Sequence, residues 1–322
     1  MAVYTQISQK EISSIQSNFN LEKIVNFKGI KQGIENTNYF LITKKNKYVL
    51  TIFEKRVKKS ELPFFMKLMD KLNHKGISCP RPLKNKKENY LFKLKNKLAC
   101  ISTIVEGRDK KNLTPRQCLV VGQNIGKLHK SSLNLRLFRK NSLQGNKLDS
   151  LYKSIKFKTR RIAPNLETVL ELSRKNIKQN WPKNLPAGII HADLFIDNIF
   201  FKKNKFSGFI DFYFSCNDFL IYELAICINA LCFDYKKSKY TLNKNKVFNL
   251  IKGYEKVRKI STHEKNSFNT LCRGAALRYL LTRIYDYFNT PKTALINVKD
   301  PKEYFQKLII HNNLTNYKDY FN

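Results

Sequence analysis

The chain has 322 residues, 42% hydrophobic and 12% aromatic, which excludes wholesale disorder and gives enough length for two domains or one large α/β unit. Its formal charge is +37, from 61 Lys and Arg against 24 Asp and Glu. A nucleic-acid or anionic-lipid footprint would gather that charge in a tail or one stripe. The basic runs "KKNK" at 44–47, "KNKK" at 84–87, "KLKNK" at 93–97, "KKNK" at 202–205 and "KKSK" at 236–239 instead separate apolar segments, where turns and loop tips belong. Scattered tips make a poor phosphate track, so the charge reads as a solvated surface whose field attracts polyanions in general.

In chain order, "NYFLIT" and "KYVLTIF" are β-rich runs around a "KKNK" turn, a hairpin pattern, preceded by the polar loop "GIKQGIENTNYF". A helix follows, with Ser60 as its cap, Pro63 in its first turn, and Leu62, Phe65, Leu68, Met69 and Leu72 at helical spacing. Gly76 ends it and "CPRP" forbids continuation. "YLFKL" and "LACISTIV" read as two further strands before Glu106-Gly107 breaks the pattern. Thr114 then caps, and Pro115 opens, a helix with Cys118, Val121, Ile125 and Leu128 on one face. From here the chain reads as mainly helical apart from a hairpin around 196–212, and Ser261 with Glu264 forms a capping box for a long helix. A strand-rich piece, 1–105, thus precedes a helix-rich piece, 106–322, with a hinge between them.

The seven cysteines are odd in number and include no C-x-x-C pair, which points to reduced, buried thiols and not to zinc. "MAVYTQISQKEI" lacks the pattern of a signal peptide. The most apolar stretch, 219–233, is too short for a membrane span and carries Glu223 and Asn229. The expectation is a cytoplasmic protein with neither a membrane nor a nucleic-acid partner.

The stretch "GIIHADLFIDNIFFKKNKFSGFIDF", 188–212, collects Asp193, Asp197, Asn198 and Asp211 in a chain poor in acids. "NIFFK" and "FSGFIDF" flank a "KNK" turn, and a turn centred on Asn204 sets Asn198 near Asp211 at the hairpin's open end. An amide oxygen beside a carboxylate suits Mg²⁺, which needs few protein ligands and completes its octahedron with phosphate and water. Asp193, five residues before Asn198, can take a proton from a hydroxyl nucleophile. Asp197 reads as a solvent-facing acid, and His191 and His129 as structural.

The pattern H-A-D-x-x-x-x-N followed by a strand ending in I-D resembles the catalytic loop and metal-binding Asp of protein kinases, in the variant used by aminoglycoside phosphotransferases. The resemblance implies an α+β, bilobal protein-kinase-like fold with a small antiparallel-sheet N-lobe and a larger, mainly helical C-lobe. It implies ATP and Mg²⁺ as cofactors, Asp193 as catalytic base and Asn198 and Asp211 as metal ligands. Asn36, Thr37 and Asn38 would contact the phosphates, and the backbone of Thr103 and Val105 would meet the adenine edge. One departure stands out: the phosphate-pairing Lys of the third strand is replaced by Thr51, so either Lys55 or Arg56 substitutes or the chain manages without that lysine.

"YVLTIFEKRV", "CPRPL", "IIHADLFIDNIFF", "NDFLIYELAICINALCF" and "RGAALRYLLTRIYD" together are similar, in order and over almost the whole chain, to homoserine kinases of this type. That likeness implies L-homoserine as substrate, phosphorylated on its side-chain hydroxyl; choline, ethanolamine or an aminoglycoside on the same fold, and a basic nucleic-acid-binding protein, are the alternatives. Glu223 stands where related kinases carry the Asp that buttresses the catalytic loop. A zwitterionic substrate needs a cation for its carboxylate. Arg273, Arg278 and Arg283 share one helix but turn about 140° per step of five, so they cannot all face one site. Arg278 is the expected carboxylate partner, and Asp218 the expected cap of the helix that follows it.

Overall fold

The computed structural model describes residues 4–30, 36–54, 58–290, 298–314 and 316–321. The chain divides into two compact units, Met1–Gly107 with Phe200–Tyr213, and Arg108–Ile199 with Phe214–Asn322. The first cut falls close to the expected hinge at 105. The second was not foreseen: most of the 199–209 hairpin belongs with the strand-rich unit.

The first unit begins with α1 (Gln9–Asn18), held at its start by the Ser8/Glu11 capping box. β1 (Ile24–Gly29), β2 (Thr37–Thr43), β3 (Lys47–Ile52), α2 (Leu62–His74), β4 (Phe92–Leu94) and β5 (Lys97–Thr103) follow. The five strands form one antiparallel sheet in the order β1-β2-β3-β5-β4. Strand alternation sends Tyr39, Leu41, Leu50, Ile52 and Ile101 to one face, where they bury Ile12, Ile15 and Phe19 of α1. α2 starts at Leu62 behind a short 3-10 turn, with Glu61 and not Ser60 at the cap position. Gly76, at φ +79°, closes it as expected.

The second unit contains α3 (Pro115–Ser132), α4 (Asn146–Ile155), α5 (Leu166–Asn180) and β6 (Ala187–Ile190). β7 (Ile199–Lys202) and β8 (Lys205–Phe209) make the hairpin, and its turn is Lys203-Asn204, both at positive φ, half a residue earlier than the sequence centring. The hairpin sits in the first unit because Phe209 donates its N–H to the Ser78 carbonyl at 3.0 Å and Gly208 packs closely against the same residue. A Cβ on Gly208 would come within 2.6 Å of the Ser78 oxygen. β9 (Cys216–Phe219), α6 (Leu220–Leu231), β10 (Phe233–Lys236), β11 (Lys239–Leu242), α7 (Lys244–Glu255), α8 (Thr262–Asn289), α9 (Pro301–Asn313) and α10 (Lys318–Phe321) complete the second unit.

The sequence pattern did not predict the β6–β9 pair or the β10–β11 hairpin, both of which are short. α6 is buried all round and packs on α8, so its apolar run is a core helix. α3 and α7 meet backbone to backbone: a Cβ on Gly122 would reach within 2.0 Å of the Leu250 oxygen, and one on Gly253 within 2.0 Å of the Leu119 oxygen. All seven cysteines are buried and free. No helix among the described residues is long and apolar enough to cross a membrane.

α9 is tied down by His311, which is fully buried with Nδ1 2.8 Å from the Tyr320 hydroxyl and Nε2 3.3 Å from Asn229 Oδ1. Burial, helped by the charges of Lys307 and Arg273, pushes its pKa from 6.5 down to about 3. The folded chain therefore keeps His311 neutral at pH values where the unfolded chain binds a proton. This contribution is complete above pH 6.5 and is lost steadily as pH falls toward 3. Between pH 7 and pH 5, unfolding stability should drop by about 2 kcal/mol from this group. Urea midpoints across that range should show the drop, and His311→Gln should flatten it.

Candidate active site

The loop expected to carry the base lies in the second unit and is built on β6 and β9. They pair antiparallel with Ile190 opposite Cys216 and Gly188 opposite Asp218, and β6 delivers the chain into the loop His191–Asn198. That loop turns sharply because Ala192 adopts φ +64°, a left-handed conformation that costs a non-glycine residue roughly 1–2 kcal/mol. Surrounding bonds impose it. Glu223, in the first turn of α6 and fully buried, accepts the backbone N–H of His191 and that of Ala192, the latter at 3.1 and 3.2 Å to its two oxygens. On the other side the Ala192 carbonyl accepts Arg278 Nη1 at 3.2 Å and the Tyr279 hydroxyl at 3.1 Å.

Asp193 follows, partly exposed. Its carbonyl accepts Phe195 N–H at 2.8 Å and Asn198 Nδ2 at 2.8 Å, and its Oδ2 lies 3.2 Å from the same Nδ2. Asn198 thus spends its donor end on Asp193, which leaves Oδ1 as a hard-oxygen acceptor. Asn198 is 8% exposed, whereas Asp197 is solvent-facing as expected, 3.8 Å from the Lys299 ammonium. His191 and His129 are both fully buried. His129 Nδ1 meets the Tyr254 hydroxyl at 2.8 Å and its Nε2 lies 3.9 Å from Glu223. Burial depresses the His129 pKa more than Glu223 raises it, so this ring is neutral at pH 7 and leaves the Glu223 charge to the loop amides.

Arg278 and Asp218 are both engaged within the second unit. Arg278 is 2% exposed, its guanidinium carbon lies 4.6 Å from the Tyr279 ring centroid, and its Nη1 is bonded to the loop. Its Nε is buried with no hydrogen-bond partner among the described residues. Asp218 does not cap α6, whose cap position is Phe219. Its Oδ1 accepts Phe219 N–H at 2.7 Å, and its Oδ2 accepts Asn141 Nδ2 at 2.6 Å and Gln144 Nε2. Asp218 thus straps the α3–α4 connector to β9, and burial raises its pKa despite those donors. The sibling arginines diverge as the helix rotation requires: Arg273 reaches Asn312 and Asn176, and Arg283 reaches Glu303 and the Asp300 carbonyl. Tyr279 and Asn141 escaped the sequence reading because each acts on a residue more than seventy positions away.

In the first unit, the side chains expected on phosphates are largely committed to the fold. Asn36 Oδ1 accepts Glu54 N–H at 3.4 Å. Thr37, fully buried, donates to Glu54 Oε1 at 2.7 Å and accepts the N–H of Tyr4 and Thr5 at 2.9 and 3.1 Å. Asn38 Oδ1 accepts the Thr51 hydroxyl at 2.8 Å, so the residue in the lysine's place stitches β3 to β2. Lys55 and Arg56 lie outside the described residues, as does the loop 31–35. Burial raises the Glu54 pKa, and Lys97, Thr37 and Thr5 together more than offset it, holding the carboxyl below its usual range. Thr103 is engaged with Arg81 through both N–H and Oγ1, at 2.9 Å each. The peptide groups of Ile104 and Val105 have no backbone partner among the described residues. Asp211, just after β8, is exposed at φ +64°. Among the described residues no three His, Cys, Asp or Glu side chains cluster as a metal cage.

In the second unit the loop His191–Asn198 holds the Asp193 carboxylate beside the Asn198 amide. Residues 26–240 match the phosphotransferase enzyme family, and the chain belongs to that family. It is 40% identical over 311 residues to the homoserine kinase of Allorhizobium ampelinum, covering 97% of this chain and 96% of that protein. It is also 40% identical to that of Parvibaculum lavamentivorans, with the same coverage. Within the phosphotransferases it is a member of the homoserine kinase group. Its fold, α+β and protein-kinase-like, is shared with an amicoumacin kinase solved with AMP-PNP, at a TM-score of 0.69 and 13% identity over 97% of this chain and 95% of that one.

Glu223→Ala should leave two loop amides without an acceptor. We expect a stability loss of about 2–4 kcal/mol by urea unfolding and at least a roughly hundredfold fall in kcat. Glu223→Gln, which keeps one oxygen, should fall between.

Proposed function

We propose that the chain uses ATP to phosphorylate the side-chain hydroxyl of L-homoserine, giving O-phospho-L-homoserine and ADP. Membership of the homoserine kinase group at 40% identity over nearly the full length supports the substrate. The bonding of Asn198 to both the carbonyl and the carboxylate of Asp193 is the observation that supports the chemistry. A carboxylate held by its own loop needs no reorganisation to meet a hydroxyl, and positioning supplies much of the barrier reduction in phosphoryl transfer.

In this mechanism Asp193 orients the homoserine hydroxyl and accepts its proton as the new O–P bond forms and the bond from the γ-phosphorus to the ADP oxygen breaks. No covalent enzyme intermediate is involved. Asn198 Oδ1 and the Asp211 carboxylate would hold Mg²⁺, whose chemistry is to neutralise phosphate charge. One amide and one carboxylate suit a cation that keeps phosphate and water in its other positions. Val105, whose peptide groups have no backbone partner among the described residues, is the better of the two adenine contacts. For Asn36, Thr37 and Asn38 the proposal keeps only main-chain contacts to phosphate. The protein works in the cytoplasm, where its reduced thiols and its nucleotide are both stable.

ADP release with Mg-ATP and a panel of L-homoserine, L-serine, L-threonine, choline, ethanolamine and kanamycin tests this reading. Turnover should be confined to L-homoserine and fall by at least about 10² in Asp193→Asn. Turnover on another alcohol alone would reject the substrate, and full activity in Asp193→Asn would reject the base.

A further inference from the structure

The Ala192 carbonyl and the Asp193 N–H belong to one rigid peptide plane. Whatever fixes that plane fixes the direction in which the Asp193 side chain leaves the loop. Two donors from consecutive residues of α8 converge on its oxygen, Arg278 Nη1 at 3.2 Å and the Tyr279 hydroxyl at 3.1 Å. Both come from a helix at least 86 positions away, so neither bond follows from the loop's own conformation. The ring of Tyr279 also carries the Arg278 guanidinium on its face and packs edge-on against Phe195, two residues beyond Asp193, at 4.9 Å. Tyr304 of α9 supports the same ring from behind at 5.2 Å.

A residue placed only for packing would not aim a charged donor at a carbonyl in a strained turn. Arg278 is 2% exposed and its Nη1 is taken by the Ala192 carbonyl, while its Nε has no partner among the described residues. Without the clamp, only the Glu223 bonds to the His191 and Ala192 amides would hold Ala192 at φ +64°, and the plane that follows it would turn more readily, carrying Asp193 away.

We propose that Arg278 and Tyr279 are positioning residues for phosphoryl transfer, clamping the Ala192 carbonyl so that the Asp193 carboxylate points at the acceptor hydroxyl. This rests on Asp193 being the base of the proposed function. It replaces the substrate-carboxylate role that the sequence suggested for Arg278.

The two roles separate in steady-state kinetics. A clamp acts on kcat, whereas a carboxylate receptor acts on the KM for homoserine. Tyr279→Phe removes one hydroxyl from a packed ring and should lower kcat by about 3–10-fold. Arg278→Met should lower it by about 100-fold and Arg278→Lys by less, with KM for ATP and for homoserine within about twofold in each. Thermal melting shows which variants fold. The decisive variant is Ala192→Gly in the Arg278→Met background: glycine enters the left-handed region without a Cβ penalty, so roughly tenfold of the lost kcat should return. A mere packing defect would gain nothing from that change.

A raised homoserine KM with unchanged kcat in Arg278→Met, while wild type is active, overturns this proposal alone. So does the absence of rescue together with a Tyr279→Phe enzyme as fast as wild type. A wild type inactive across the alcohol panel overturns the proposed function and this inference with it.

Discussion

The buried carboxylate of Glu223 is the contact on which the catalytic loop depends. It accepts the two consecutive amides, His191 and Ala192, at the one point where the chain leaves β6 and turns back on itself. A fully buried anion would be costly if unpaired, and backbone N–H groups are what satisfies it. The arrangement therefore works in both directions: the loop keeps the acid satisfied, and the acid keeps the loop in a conformation that Ala192 would not otherwise hold. His129 beside it stays neutral because burial outweighs the pull of the carboxylate. A charged imidazole there would compete with the amides for Glu223.

The large positive charge takes little part in this. Three of the basic runs form two-residue turns whose paired residues sit at positive φ: Lys95-Asn96, Lys203-Asn204 and Lys237-Ser238. Asparagine enters that region at low cost, and the flanking lysines extend into water. Where a lysine is buried, it is individually paired, as Lys246 is with Asp234 and Asn112, and Lys307 with Glu303 and the Asn229 carbonyl. The charge is thus mostly a property of the turns and the solvated surface, with a few buried exceptions that the fold neutralises one by one.

What could be read from the sequence was what depends on near neighbours. The Thr114 cap, the Ser261 capping box, Gly76 at a helix end and the β2–β3 hairpin were legible because each is set by residues within a few positions. The candidate site stood out as a set of residue types, since Asp193, Asn198 and Asp211 lie within twenty positions of one another in the sequence. Short strands such as β6, β9 and β10 were not, because four residues carry too little alternation to stand apart from loop. The cap of α2 was misplaced by one residue for a related reason: Ser60 has the right chemistry, but a 3-10 turn precedes the helix.

The sequence by itself determined which chemical groups are present, their order, and the local geometry of turns and caps, because those depend on backbone sterics and hydrogen bonds of short range. Only the tertiary structure decided what the distant groups do. Arg278, expected from the sequence to face a ligand, is buried and bonded to a carbonyl 86 positions away, a partner no local pattern could show. Asp218 looked like a helix cap until Asn141 and Gln144, more than seventy positions away, proved to be its partners. The side chains of Thr37 and Asn38, expected near phosphate, have Glu54 and Thr51 as partners. A polar side chain is read correctly only when its nearest partner is known, and burial, which a linear pattern does not record for a single residue, selects that partner.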